Sequence, residues 1–242
     1  MKSFVLYVVV LVTLCEGISL PSSFRKCSRK ERDFNQCLSL AINDAFTQLE
    51  KPLEDYGLPN LAHLEFPHNC KVAFGNSTDG LRQEFTKFTA TGFSNPINTT
   101  ASMDFGKNVL TLKVTYHQLL FRGEYIAQGR VFLLPVDIMT PVVITWDLPT
   151  YTFTFMLEEF MRETKYYKVV NSDIDMQPRN LAFHFEKLFD DQRLNDALNE
   201  AMSKKWLQIF TRLKYKEKVF APFFGTFFNN FLERVPVSEI FG

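Results

Sequence analysis

The sequence predicts an α+β fold of one domain, in which a long C-terminal helix is wrapped by a highly curved antiparallel β-sheet. Three observations carry this. Apolar residues recur at helical steps over residues 34–49, the period changes to two between about 82 and 187, and helical spacing returns from Leu194 onward. No Pro/Gly/Ser-rich linker divides the 242 residues, and 46% hydrophobic composition is ample for a single well-filled core.

At the N-terminus, Met1 and Lys2 precede FVLYVVVLVTLC, a run shorter than the ~20 residues a spanning helix needs and suited to a signal-peptide core. Residues 1–17 are therefore expected to be a cleaved leader, and residues 18–242 a secreted, extracellular domain. Cys15 leaves with the leader. The mature chain keeps Cys27, Cys37 and Cys70, an odd count that in an oxidising compartment predicts one bridge and one leftover. Sequons at Asn76 and Asn98 lie in polar stretches that read as loops, where glycans are expected.

The first helix is marked by Phe34, Cys37, Leu38, Ala41, Ile42, Ala45, Phe46 and Leu49 at three- and four-residue steps, ending before Pro52. Its start decides what the early cysteines do. Capping boxes are available at Ser28 with Glu31 and at Asp33 with Gln36. A helix from Ser28 would hold Cys27 and Cys37 about 15 Å apart at ~1.5 Å per residue, beyond the ~7 Å limit for a bridge. A start at Asp33 frees residues 27–32 to fold back, so the pair is expected to be a staple, stabilising by roughly 3 kcal/mol in the chain-entropy model. Metal binding would need further ligands, and the histidines show no ligand spacing. Cys70 is expected to be a free, largely buried thiol.

Alternation then takes over. It runs through VLTLKVTYHQLLF, GEYIAQGRVFLLP, PVVITWDL, TYTFTFML, KYYKVVNSDIDM and LAFHFE, with turns expected near Gly123, Pro141 and Pro149. After Asp190 and Asp191, a stripe of Leu194, Leu198, Met202, Trp206, Phe210 and Leu213 continues through Phe220, Phe223, Phe224, Phe227, Phe228 and Phe231. Roughly forty residues of helix would reach about 60 Å, kinked or divided at Pro222. So long an apolar stripe needs a long trough, which a curved sheet supplies.

Charge and motifs exclude several functions. Lys+Arg 27 balances Asp+Glu 27, so no global field recruits nucleic acid or an anionic membrane. The basic runs FRKCSRKER and RLKYKEK read as solvated faces and allow at most a transient membrane contact. The chain contains no G-x-S-x-G elbow, H-E-x-x-H pair or P-loop, and its paired acids are adjacent in sequence, as capping or solvated residues are. No catalysis, metal or cofactor is expected. The surplus is in Phe 26, which suits a thick core or a cavity for an apolar ligand.

The early pair C...DFNQCLSLAI, the central LLFRGEYIAQGRVFLLPV, and LFDDQRLNDALNEAMSKKWLQIF running on to VPVSEIF together resemble the insect takeout and juvenile hormone-binding protein family. The resemblance covers nearly the whole mature chain. It is nearer to takeout-like members, because no cysteine follows Cys70 to form a second bridge. It implies a secreted fold of the tubular lipid-binding kind around an elongated apolar tunnel, and a Cys27 to Cys37 bridge.

The expected function is an extracellular, monomeric carrier of a small lipophilic ligand: a juvenile hormone-like terpenoid, a fatty acid or a quinone. The alternative is a secreted interaction or membrane lipid-exchange protein with no dedicated soluble ligand. Helix residues Phe46, Leu49, Met202, Trp206 and Phe210, with strand residues Leu112, Val114, Phe183 and Phe185, are expected to line the tunnel. Tyr116, Tyr125, Trp146 and Trp206 are the candidate donors for a polar end group.

Overall fold

The computed structural model describes residues 18–67, 70–74, 81–131, 134–214 and 216–242. The expected leader and the sequon at Asn76 lie outside these residues. Helix α1 spans Phe34–Gln48, with Asp33 at its N-cap as expected. The Asp33 carboxylate makes no capping bond; the Gln36 and Cys37 N–H groups reach its backbone carbonyl instead, each at 3.0 Å. The earlier box also forms, as a turn that stops short of a helix: the Ser28 N–H donates to the Glu31 carboxylate at 3.2 Å, and the Lys30 N–H to Ser28 Oγ at 3.3 Å. This turn folds the chain back, leaving the Cα atoms of the Cys27 to Cys37 disulfide 5.8 Å apart.

The strands make two open antiparallel sheets. One is seven-stranded: β3 (Leu81–Thr91), β6 (Gln118–Val131), β7 (Leu134–Asp147) and β10 (Asn180–Phe185), with the short β1 (Leu64–Glu65), β2 (Val72–Phe74) and β11 (Leu213–Lys214). Its order is β10-β7-β6-β3-β2-β11, and β1 pairs with β3. The other is four-stranded, in the order β4 (Pro96–Asp104), β5 (Val109–Tyr116), β8 (Thr150–Met161), β9 (Lys165–Gln177).

The chain crosses repeatedly from one sheet to the other at a common level, the waist of the molecule. β5 enters β6 through His117 alone, β7 enters β8 through Leu148 and Pro149, and β9 enters β10 through residues 178 and 179. Bonds between crossings lock the level: Tyr116 N–H to the Pro149 carbonyl at 3.0 Å, Leu148 N–H to His117 at 2.9 Å, Arg179 N–H to Asp147 at 3.0 Å.

Several expectations need correction. Asn98 sits exposed within β4, at a register shift, rather than in a loop. Gly123 and Pro141 are strand residues, opposite Val142 and Glu124. Gly123 is required because a Cβ there would meet the Thr86 carbonyl at 2.7 Å, where β3 bulges and Lys87 has φ 54. Pro141 stands one residue past the end of the β10 ladder, where a missing N–H is tolerated.

The expected single long helix is divided into α2 (Gln192–Lys204), α3 (Trp206–Arg212) and α4 (Lys216–Leu232). Pro222 lies inside α4 without ending it. The breaks fall at Lys205 and at residues 213 and 214, which leave the helix to pair with β2. α2, capped by Asp191, buries Asn195 and Asn199 against β10, while Leu194 on the expected apolar stripe is 56% exposed. α4 is the helix the sheets wrap. Phe220 meets Phe88 and Phe121, Phe224 meets Phe93 and Phe153, and Phe228 meets Phe155, so one i, i+4 stripe runs from one sheet across the waist to the other. Gly225 lets α4 rest on β9, since a Cβ there would lie 2.7 Å from Ser172 Oγ. Among the described residues no helix is long and apolar enough to cross a membrane.

Candidate ligand site

An apolar cavity of about 100 Å³ lies between α1 and α4, under the N-terminal segment. The α1 stripe supplies Leu38, Ala41, Ile42, Ala45, Phe46 and Leu49; α4 supplies Phe227, Phe228 and Phe231. Phe24 and Cys27 close it, so the disulfide is part of the wall. The charged side chain in the lining is Arg25, whose guanidinium is paired with Asp44 at 3.3 Å. A second cavity of about 30 Å³ lies beneath the seven-stranded sheet, lined by Phe85, Phe88, Phe121, Ile144, Trp146, Phe210 and Phe220 among others.

A row of rings connects the two regions. From Phe228 on the cavity wall it passes to Phe155 at 4.5 Å, then to Phe153, Tyr151 and Trp146 at successive centroid separations of 5.9 Å. Tyr151, Phe153 and Phe155 alternate along β8 and therefore share its inner face. At the waist end of this row the chemistry changes. Trp146 Nε1 and the Tyr151 hydroxyl are fully buried and have no hydrogen-bond partner among the described residues. Ser94 Oγ, on the turn between β3 and β4, is likewise unpartnered. Burial, with the nearby Tyr116 phenol second, holds the Tyr151 phenol well above its usual range.

Over residues 5–242 the chain matches the model of the family described as haemolymph juvenile hormone binding protein (JHBP). It belongs to that family. Takeout 1 of Epiphyas postvittana has the same fold, with a TM-score of 0.75 at 18% identity over 90% of this chain and 99% of that one. Lipopolysaccharide binding protein aligns at a TM-score of only 0.39, with 14% identity over 79% of this chain and 37% of the other. No curated protein sequence matches.

The residues expected from sequence distribute over this JHBP-family framework unevenly. Phe46 and Leu49 line the α1–α4 cavity, and Trp146 and Phe210 the second one. Leu112 and Val114 are buried on the inner face of β5, and Phe183, Phe185 and Tyr125 pack ring against ring beneath the seven-stranded sheet. The Tyr125 hydroxyl donates to the side-chain oxygen of Gln83 at 2.5 Å, and burial pushes its phenol up to about 12. Met202 and Trp206 are half-buried on the outside of the core. Leu38, Ala41, Ile42 and Ala45 join the wall without having been singled out. Their stripe was evident; that it faces α4 was not.

Proposed function

We propose that this protein is an extracellular, non-catalytic carrier of a small lipophilic molecule, with residues 1–17 as its leader and residues 18–242 as the working monomer. The observation that carries this is the hydrocarbon-walled cavity between α1 and α4 in a member of a family described by hormone binding. At about 100 Å³ the cavity falls below the ~300 Å³ at which small-molecule sites begin. A ligand therefore enters by displacing phenylalanine side chains, with Phe227, Phe228 and Phe231 the nearest to move. An apolar ligand of ~20 heavy atoms at about 0.3 kcal/mol per atom gains about 6 kcal/mol, or tens of micromolar affinity, before any specific contact.

The test is to delipidate the folded protein and titrate it with terpenoids, fatty acids and quinones. Ala45→Phe, which puts a ring into the cavity from α1, is expected to weaken binding at least tenfold with an unchanged circular dichroism spectrum. A wild-type protein that binds none of the three classes overturns the proposal.

A further inference from the structure

Two donors without acceptors in the middle of an apolar interior call for an explanation. Each unpaired buried polar group costs roughly 1–3 kcal/mol, so natural folds rarely keep one without a use. Trp146 Nε1 can only donate, and the Tyr151 hydroxyl has a proton to give. The rings packed on them are neutral: Phe93, Tyr116 and Phe153 around Tyr151, and Phe121 and Phe210 around Trp146. From this pair, the β8 row leads to Phe228 and the α1–α4 cavity.

We propose that Trp146 Nε1 and the Tyr151 hydroxyl bind the acceptor end of the carried lipid, a neutral carbonyl of an ester, ketone or quinone. Its apolar chain lies along Tyr151, Phe153 and Phe155 toward the α1–α4 cavity. This rests on the carrier function above and narrows its ligand class. A carboxylate is disfavoured, because burying an anion among these neutral rings costs far more than two donors return. The cavity of about 30 Å³ beside Trp146 also has room for one water, so an ordered water is the competing occupant.

The probes are the methyl ester, the free acid and the alkane of one long chain length, titrated into delipidated wild type, Tyr151→Phe and Trp146→Phe. A Trp206→Phe background leaves Trp146 as the sole indole of the two, and its emission reports the site directly. Wild type is expected to bind the ester at least tenfold more tightly than the alkane or the acid, with a red shift of Trp146 emission for the ester alone. Tyr151→Phe should weaken the ester about fivefold and leave the alkane unchanged. It should also raise the Tm of the ligand-free protein by ~2–4 °C, because it removes an unpaired hydroxyl while keeping the ring. If Tyr151→Phe leaves the ester unchanged and lowers Tm, a structural water holds the site and the assignment is wrong. Equal affinity for ester and alkane in wild type overturns the assignment alone; no binding of any probe overturns the carrier function with it.

Discussion

Asn199 satisfies both backbone groups of Phe185: its side-chain oxygen accepts the Phe185 N–H at 2.8 Å, and its nitrogen donates to the Phe185 carbonyl at 3.1 Å. Ser203 does the same for Phe183, at 2.9 and 3.4 Å, and Asn195 continues to the carbonyls of Phe185 and Glu186 and to the Leu188 N–H. The match is geometric. Four helix residues advance about 6 Å and two strand residues about 6.6 Å, so an i, i+4 polar row on α2 stays in step with the outward-facing groups of β10. β10 is an edge strand, and α2 covers the edge that would otherwise template aggregation.

Asn199→Leu keeps the volume and strands the Phe185 N–H, while the Phe185 carbonyl keeps its bond from Asn195 at 3.2 Å. At roughly 1–3 kcal/mol for a buried unpaired group, a loss of about 2 kcal/mol and ~4–8 °C in Tm is expected, with more aggregation on heating. Leu194→Gln, one turn away on the exposed face, should stay within about 0.5 kcal/mol. Thermal unfolding of both variants checks the contrast.

The disulfide encloses a short loop, with a sequence separation of 10, and removing it should cost roughly 3 kcal/mol in the chain-entropy model. Cys27 is also part of the cavity wall. Replacement of both cysteines by alanine is therefore expected to lower Tm and to weaken lipid binding in the same protein. Unchanged affinity with lowered Tm would separate the staple from the site.

How much of this was legible in the residues depends on what each signal encodes. The strands were, because alternation in VLTLKVTYHQLLF survives the crossing at His117 and reads as one run. The start of α1 was, because only a helix beginning at Asp33 lets the cysteines meet. The phase of α2 was not. Leu194, Leu198 and Met202 repeat as cleanly as Asn195, Asn199 and Ser203, and hydrophobicity selects the wrong row when the contact is a strand edge that needs hydrogen bonds. The cavity was half legible: both helical stripes were visible, but which faces meet is a property of the assembled sheets. Tyr151 read as one more strand aromatic, since an unpartnered hydroxyl exists only once Phe93, Phe153 and Trp146 have closed around it.

Cys70 is buried, and burial pushes its thiol up to about 11. Thiolate is the reactive form, so the native protein should resist iodoacetamide at pH 8 and take up one equivalent on unfolding. The sign for stability follows. Above the ordinary thiol value near 8.5, the unfolded chain releases a proton that the folded protein keeps until about 11, so stability falls as pH rises across that interval. Below it both states are protonated and the effect vanishes. Cys70→Ala should flatten the decline in Tm between pH 9 and 11, leaving the part due to the buried phenols of Tyr116, Tyr125, Tyr151 and Tyr167, which act in the same direction.

Gly225 sets two effects against each other. In an exposed helix interior, glycine to alanine gains about 1 kcal/mol of propensity. Here the new Cβ would lie 2.7 Å from Ser172 Oγ and 3.0 Å from Ser172 Cβ, and that serine donates to the Ala221 carbonyl at 2.8 Å, pinning α4 to β9. Nearby, Asn229 Oδ1 accepts the Val169 N–H at 2.7 Å, so the helix is held at this distance from both sides of Gly225. Overpacking of this kind costs typically 1–3 kcal/mol, and the Ser172 bond is lost with it, so packing wins over propensity. Gly225→Ala is expected to destabilise by about 1–2 kcal/mol. Combining it with Ser172→Gly should recover most of that loss, because the clash partner is gone, giving a coupling of opposite sign to the single effects in a double-mutant cycle. A stabilising Gly225→Ala would mean that α4 does not approach β9 this closely, and that the sheets wrap the helix more loosely than these contacts describe.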